Sequence, residues 1–353
     1  MSIDLRATIE DLIRGDVPIS RSVAADVGTA IARGEAEPHQ VAALLVLLAA
    51  RGETADVVLG FVSALRSVMI TVPNPGVGPL LDIVGTGGDG HNTVNISSAA
   101  AMLTAACGVH VAKHGSVSVS SRSGAADVLV ALGIAPLPVS CAGACLRRAG
   151  ITFLFAQDFH PALRAVAPVR KALRVRTLFN ILGPLLNPAG AQRLVLGVYA
   201  PRLLRIFADA AAALGVERAL IVHCCGLDEL APIGPCTTID VAGGVAGPEF
   251  IVDPADWGVP RCDIADLAGG SPAENAQVLR KVLAGGADGK CAIGHTIALN
   301  AGAALYVYGT AGSVQEGYRI ALDALLSGAG LRQLDKWAAV SHELAAAAAP
   351  VTT

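Results

Sequence analysis

The sequence predicts an α/β protein: a small all-helical N-terminal domain followed by a large α/β domain with a mainly parallel central sheet. Three observations predict it. Residues 1 to about 70 carry helical periodicity and no strand-like run. From about residue 80, short apolar runs alternate with helical segments, the pattern of parallel strands covered by helices. Between the two lies Val72–Pro79, VPNPGVGP, a Pro/Gly linker. The expected units are therefore 1–72 and 78–345.

Composition narrows the function classes. The 353 residues are 53% hydrophobic and 16% charged, enough to bury a sizeable core of Ala, Leu and Val, and low enough in charge to favour an oligomer interface. A formal net charge of −3 argues against a nucleic-acid-binding surface. The longest apolar runs, such as Val41–Ala50, are too short to span a bilayer, so no membrane association is expected. The start, MSIDLRATIEDLIRG, has acids and no apolar signal core, which predicts a cytoplasmic protein. Eight cysteines are scattered, with Cys141 and Cys145 one helical turn apart and Cys224 next to Cys225. No C-x-x-C set accompanies histidines, so reduced thiols and no zinc site are expected.

The elements follow in order. Leu5, Ile9, Leu12 and Ile13 make a first amphipathic face that ends at Gly15. Ser20 is a good N-cap for a helix to Gly34, Pro38 suits a first helical turn, and Thr54 can cap a fourth helix. Candidate strands are Leu80–Val84, Val109–Ala112, Phe153–Phe155, Leu194–Val198, Ala219–His223 and Thr237–Val241. A loop-rich region to Gly270 precedes helices at Asn275–Leu283, Thr296–Tyr306, Ser313–Leu326 and Leu331–Ala348, the last with a fraying alanine-rich end.

The chain is organised around Leu81–Gly133. Its first strand breaks into a loop with Gly85, Gly87, Gly88 and Gly90, and a helix follows. Its second strand ends in Lys113-His114-Gly115 before a serine-rich loop. Glycine turns are common in any α/β protein. Two such units in series, with backbone N–H groups at helix starts, point to an anion site. GTGGDG also matches G-x-G-x-x-G, but the acidic residue that a dinucleotide site expects at the second strand end is replaced by Lys113 and His114. An NADP-type oxidoreductase stays open as an alternative. Asp89 among phosphate-binding amides implies a metal bridging it to a polyphosphate.

Five motifs occur in order: Gly85–Ser98 (GTGGDGHNTVNISS), Lys113–Leu129 (KHGSVSVSSRSGAADVL), Phe159–Leu173 (FHPALRAVAPVRKAL), Arg176–Ala189 (RTLFNILGPLLNPA) and Gly226–Leu230 (GLDEL). Together they resemble the anthranilate phosphoribosyltransferases, over nearly the whole chain. The resemblance implies the fold of the nucleoside phosphorylase and class-3 phosphoribosyltransferase type. Helices near 165–185 would complete the small domain, and a homodimer would form through the helical domains. It implies 5-phosphoribosyl 1-diphosphate and anthranilate as substrates, Mg²⁺ as cofactor, and a place in tryptophan biosynthesis.

By this resemblance, Gly85, Thr86, Gly87, Gly88 and Asp89 hold the diphosphate and metal side, continued by Thr93, Asn95, Ser97 and Ser98, with Ser97 a candidate metal ligand. Lys113 would meet phosphate as a point charge, beside His114 and Gly115. Ser120 sits on the loop expected to close over the substrate. Asn95 also reads as a plain helix cap. The acids Asp228 and Glu229 read alone as a solvated turn; beyond a strand's carboxyl end they can share Mg²⁺ with substrate phosphates, the reading the resemblance favours. His160 and Arg170 match the acceptor side, the guanidinium fork suiting the anthranilate carboxylate. Gly85, Ser116 and Gly183 complete that side, Gly183 as hinge or tunnel. No residue stands out as a general acid or base, which suits a displacement that depends on positioning and charge stabilisation by groups such as Lys113 and Arg170.

The chain departs from the family pattern. Lys113-His114-Gly115-Ser116-Val117 stands where K-H-G-N-R is usual, Cys224-Cys225 where glycine and a polar residue are usual, and Val94 where phenylalanine is usual. Ser116 reaches less far than asparagine, so Ser116→Asn is expected to lower the KM for anthranilate. A same-fold relative with another acceptor or a nucleic-acid role, and a pyrimidine nucleoside phosphorylase, are the further alternatives. The signature of the last is absent from the middle of the chain.

Overall fold

The computed structural model describes residues 4–15, 18–73, 75–117 and 122–349. Ser120 lies outside the described residues. The chain opens with helices α1 (Arg6–Arg14), α2 (Arg21–Ala32), α3 (Pro38–Arg51) and α4 (Ala55–Val68). Local sequence explains their ends. Gly15 takes the left-handed conformation that closes α1 (φ 77°), the Ser20 hydroxyl accepts from Val23 N–H, and Thr54 does the same for Val57.

The second part runs β1 (Leu81–Gly85), α5 (Ile96–Ala106), β2 (Val111–Gly115), α6 (Ala125–Ala131), α7 (Ala142–Ala149), β3 (Ile151–Phe155), α8 (Ala156–Phe159), α9 (Leu163–Leu173) and β4 (Arg193–Gly197). It continues through α10 (Leu203–Ala213), β5 (Arg218–His223), β6 (Cys236–Ala242), β7 (Val245–Val252), α11 (Pro272–Leu283), α12 (Ala292–Tyr308), α13 (Val314–Leu326) and α14 (Ala329–Ala348). Among the described residues these strands form one seven-stranded sheet, ordered β3-β2-β1-β4-β5-β6-β7. The first five are parallel, and β6 and β7 extend the sheet antiparallel.

Each parallel strand alternates between two cores. Leu81, Ile83, Val195, Leu220 and Val222 pack with α5, α12 and α14 on one face. Val84, Leu194, Leu196, Ala219 and Ile221 pack on the other with α10 and the N-terminal helices. Helix α9, between β3 and β4, leaves the sheet to pack on α2 and α3.

Three expectations need correction. The second strand, expected over Val109–Ala112, runs Val111–Gly115, because Lys113, His114 and Gly115 keep register with β3 (Lys113↔Phe153, His114↔Leu154, Gly115↔Phe155). The region expected to be loop-rich contains β7, an edge strand whose Gly247-Pro248 reads as a turn. The eight cysteines are not all free: β5 and β6 pair His223 with Thr237, which sets Cys224 opposite Cys236, and these two form a disulfide.

Candidate functional site

The chain turns back after β3, so β1 and β4 lie side by side at the point where strand order reverses. Open α/β sheets bind ligands at such a point, beyond the carboxyl ends of the strands. Gly85 and Gly197 are register partners there. Both must be glycine: an added Cβ would lie 2.2 Å from Asp228 Oδ2 at Gly85 and 1.5 Å from the Asp228 carbonyl at Gly197.

Asp228 and Glu229 reach this place by a tight turn after β5. Cys224 and Leu227 exchange both backbone hydrogen bonds, at 3.0 and 2.9 Å. Cys225 (φ 49°) and Gly226 (φ 97°) supply the two positive φ angles that such a turn needs. Asn300 on α12 then clamps Leu230, accepting from its N–H at 3.1 Å and donating to its carbonyl at 2.7 Å.

The carboxylates face the glycine loop. Gly87 N–H donates to Asp228 Oδ2 at 2.6 Å, and Ser97 N–H, at the start of α5, donates to Glu229 Oε1 at 3.0 Å. Lys113 is buried; its Nζ donates to the Ile83 carbonyl at 2.8 Å and to Ser97 Oγ at 3.3 Å. Burial lowers its pKa, against the pull of Asp82, Glu229 and Asp228. Burial, then the charge of Asp89, pushes Asp228 up to about 6; burial, then Asp228 and Asp89, pushes Glu229 well above the usual carboxylate range. Glu229 Oε2 is buried without a hydrogen-bond partner among the described residues.

Three mutually repelling acids, a lysine and an orphaned carboxylate oxygen fit a divalent cation. No group of three His, Cys, Asp or Glu side chains among the described residues is gathered closely enough to hold one by itself. That matches Mg²⁺, which takes one or two carboxylates and completes its shell with water and substrate phosphate.

Around this centre, Thr86 N–H donates to the Gly197 carbonyl at 2.9 Å, and Thr86 Oγ1 accepts from Tyr199 N–H at 3.1 Å. Asp89 Oδ1 accepts from His91 N–H within the exposed loop, and Gly88 lies beside the Arg176 guanidinium. Thr93 bridges to Ala268. Asn95 stands at the cap position of α5, yet its side chain makes no cap bond. It donates to the Ser123 carbonyl and accepts from Ser123 Oγ and from Asn275, tying the first loop to the second. Ser98 Oγ is buried without a partner among the described residues.

A second group lies on the opposite face of β2. His114 Nδ1 sits 3.1 Å from the Gly183 carbonyl, and its Nε2 sits 3.2 Å from His160 Nε2. A carbonyl only accepts, so His114 Nδ1 carries the proton, its Nε2 is a lone pair, and His160 Nε2–H donates to it. Burial is the main cause that holds both rings neutral, lowering His114 to about 3 and His160 to about 4. The structure thus joins His114, expected on the diphosphate side, to the acceptor residues His160 and Gly183. Arg170, half-buried on α9, makes no side-chain hydrogen bond to them among the described residues, and Ser116 follows β2 directly.

Sequence reasoning missed Gly197, Asn275, Asn300, Asp82 and Asn187. Only Asp82 left a signal: a charge inside the apolar run Leu80–Val84.

Family models match both parts of the chain: a glycosyl transferase family helical bundle domain over residues 6–69, and a glycosyl transferase family a/b domain over residues 77–331. The anthranilate phosphoribosyltransferase of Shewanella amazonensis is 42% identical over 345 residues, covering 97% of this chain and 99% of its own. Anthranilate phosphoribosyltransferase 2 of Streptomyces coelicolor is 46% identical over 330 residues, covering 93% and 97%. The crystal structure of the Thermus thermophilus anthranilate phosphoribosyltransferase superposes with a TM-score of 0.87 at 41% identity, over 95% of this chain and 99% of that one. The Saccharomyces cerevisiae enzyme, in complex with PRPP and Mg, superposes at 0.85 with 28% identity, over 96% and 99%. With its glycine loop, paired acids and buried lysine gathered at the sheet's switch point, this chain belongs to the anthranilate phosphoribosyltransferase family.

Proposed function

We propose that this protein transfers the phosphoribosyl group of 5-phosphoribosyl 1-diphosphate to the amine of anthranilate. The products are N-(5-phosphoribosyl)anthranilate and diphosphate, a step of tryptophan biosynthesis. The observation that carries the reading is the end of β2, where consecutive residues face two chemically different sites. Lys113 points to the glycine loop and the acids, and His114 points to His160 and Gly183.

The chemistry follows from the residues. The glycine loop Gly85–Asp89 is the proposed cradle of the diphosphate, with the Lys113 ammonium as a point charge beside it. Asp228 and Glu229, with Ser97 beside them, would hold Mg²⁺, which neutralises the charge growing on the leaving diphosphate. The anthranilate amine is already a neutral nucleophile, so no general base is required. Displacement at the anomeric carbon passes through a state rich in oxocarbenium character, for which positioning matters most. Neutral histidines add no charge to the acceptor side, and Arg170 is the proposed partner of the anthranilate carboxylate. Ser120 is a further proposed contact of 5-phosphoribosyl 1-diphosphate.

The same reading proposes the domain limits 1–72 and 78–345, with 165–185 completing the helical unit, and a cytoplasmic homodimer joined through that unit. No helix among the described residues is long and apolar enough to cross a membrane.

The test is the loss of anthranilate fluorescence with 5-phosphoribosyl 1-diphosphate and Mg²⁺, with and without EDTA. Magnesium-dependent loss is the expected result. No loss at high anthranilate, with the diphosphate substrate still bound by calorimetry, would assign the acceptor side to another molecule.

A further inference from the structure

Strands β1 and β2 are neighbours that barely pair. They share one register pair, Leu81↔Val111, whereas β1 keeps five with β4 and β2 keeps five with β3. Beyond Leu81 the gap between β1 and β2 is bridged by side chains. Asp82 is fully buried; its Oδ1 accepts from His114 N–H at 3.2 Å and its Oδ2 from Asn187 Nδ2 at 2.8 Å. The same Asn187 amide donates to the Ala112 carbonyl at 2.8 Å, and Asn187 Oδ1 is fixed by Ala189 N–H at 2.9 Å. Lys113 Nζ crosses the gap in the other direction, to the Ile83 carbonyl.

A buried carboxylate is costly, and a plain β ladder would need none. Its two oxygens are used by the backbone of an acceptor-side residue and by the amide of Asn187, which follows the Gly183 segment. Its charge lies close to Lys113. The group therefore touches the supports of both half-sites and no position open to a substrate.

We propose that Asp82, held by Asn187, is a positioning residue that sets the gap between β1 and β2 and thereby where β2 holds Lys113 and His114 relative to the glycine loop of β1. This rests on the proposed transfer, in which the two residues serve diphosphate and acceptor. Placed this way, Asp82 acts on the reacting geometry and not on the affinity for either substrate alone. A misplacement of about 1 Å can cost on the order of 100-fold in rate.

Asp82→Asn sets an amide N–H against either the His114 N–H or the Asn187 amide, and removes the charge beside Lys113. Asn187→Ala removes the bridge and leaves the carboxylate, and it carries the test if Asp82→Asn does not fold. Steady-state kinetics, calorimetric titration with Mg²⁺ and 5-phosphoribosyl 1-diphosphate, and hydrogen exchange of a peptide spanning 111–117 are measured for both. The expected result is a kcat lowered at least about tenfold, with the calorimetric affinity kept within about threefold. Faster exchange at 111–117 without change in β4 and β5 is expected alongside. A kcat within about threefold of wild type in both variants, or unchanged exchange at 111–117, overturns the proposal. Absence of transfer by the wild type would overturn the functional reading instead, and exchange would still decide whether Asp82 holds β2.

Discussion

At the scale of single residues, the histidine pair makes a pH-dependent contribution whose sign follows from its burial. An unfolded histidine titrates near 6.5, whereas His114 and His160 stay neutral in the fold to about 3 and about 4. Between those values and 6.5 the unfolded chain binds more protons than the folded one. Stability from this pair is therefore fully present above about 6.5 and is lost as pH falls toward 4. Asp82 and Asp228, each raised to about 6, act in the opposite sense over part of this range. The wild-type curve alone therefore mixes both. His160→Gln removes one histidine and none of the acids. Its thermal midpoint should fall less steeply than that of wild type from pH 6.5 to 4.5. Parallel curves would mean that the His160 ring titrates in the fold as it does in the unfolded chain.

At the scale of elements, the disulfide joins facing ends of β5 and β6, and the intervening turn carries Asp228 and Glu229. Closing a loop of about this length contributes on the order of 3 kcal/mol by the chain-entropy model. Six cysteines remain free: Cys107, Cys141, Cys145, Cys225, Cys262 and Cys291. Alkylation in denaturant without reductant should therefore label six, and label eight only after reduction. Eight labelled from the start would show the pair reduced in solution, with the turn held by its backbone bonds and by Asn300. The sequence could not reveal this pairing, because Cys224 and Cys236 meet only through the β5–β6 register. It did reveal most elements whose ends have local causes: the Ser20 and Thr54 caps, the Gly15 stop, and the glycine loop after β1. Strand β7 stayed hidden because one edge and most of its side chains face solvent, so it lacks the apolar run that marks a buried strand. In the candidate site, the glycine loop, Lys113 and the Asp228-Glu229 pair were legible as motifs. The Asp82–Asn187 bridge spans 105 positions and leaves no spacing to read.

At the scale of the whole molecule, the helical unit has more apolar surface than its own packing uses. Ile13 on α1 is 62% exposed, Val23 on α2 40% and Val46 on α3 42%, while the same helices bury Leu12, Val27, Leu44 and Leu45 against one another and α4. Single exposed apolar residues are ordinary. Three on the helices of one small unit are consistent with the homodimer proposed through it. Val46→Glu places an unpaired charge at this surface. If the surface is buried between two chains, the charge weakens association by about 2–3 kcal/mol, or roughly 100-fold. Light scattering at micromolar concentration should then report a monomer for Val46→Glu and a dimer for the wild type, with the Mg²⁺-dependent transfer of the isolated chain retained. A Val46→Glu protein that remains dimeric would move the contact off this face of the helical unit.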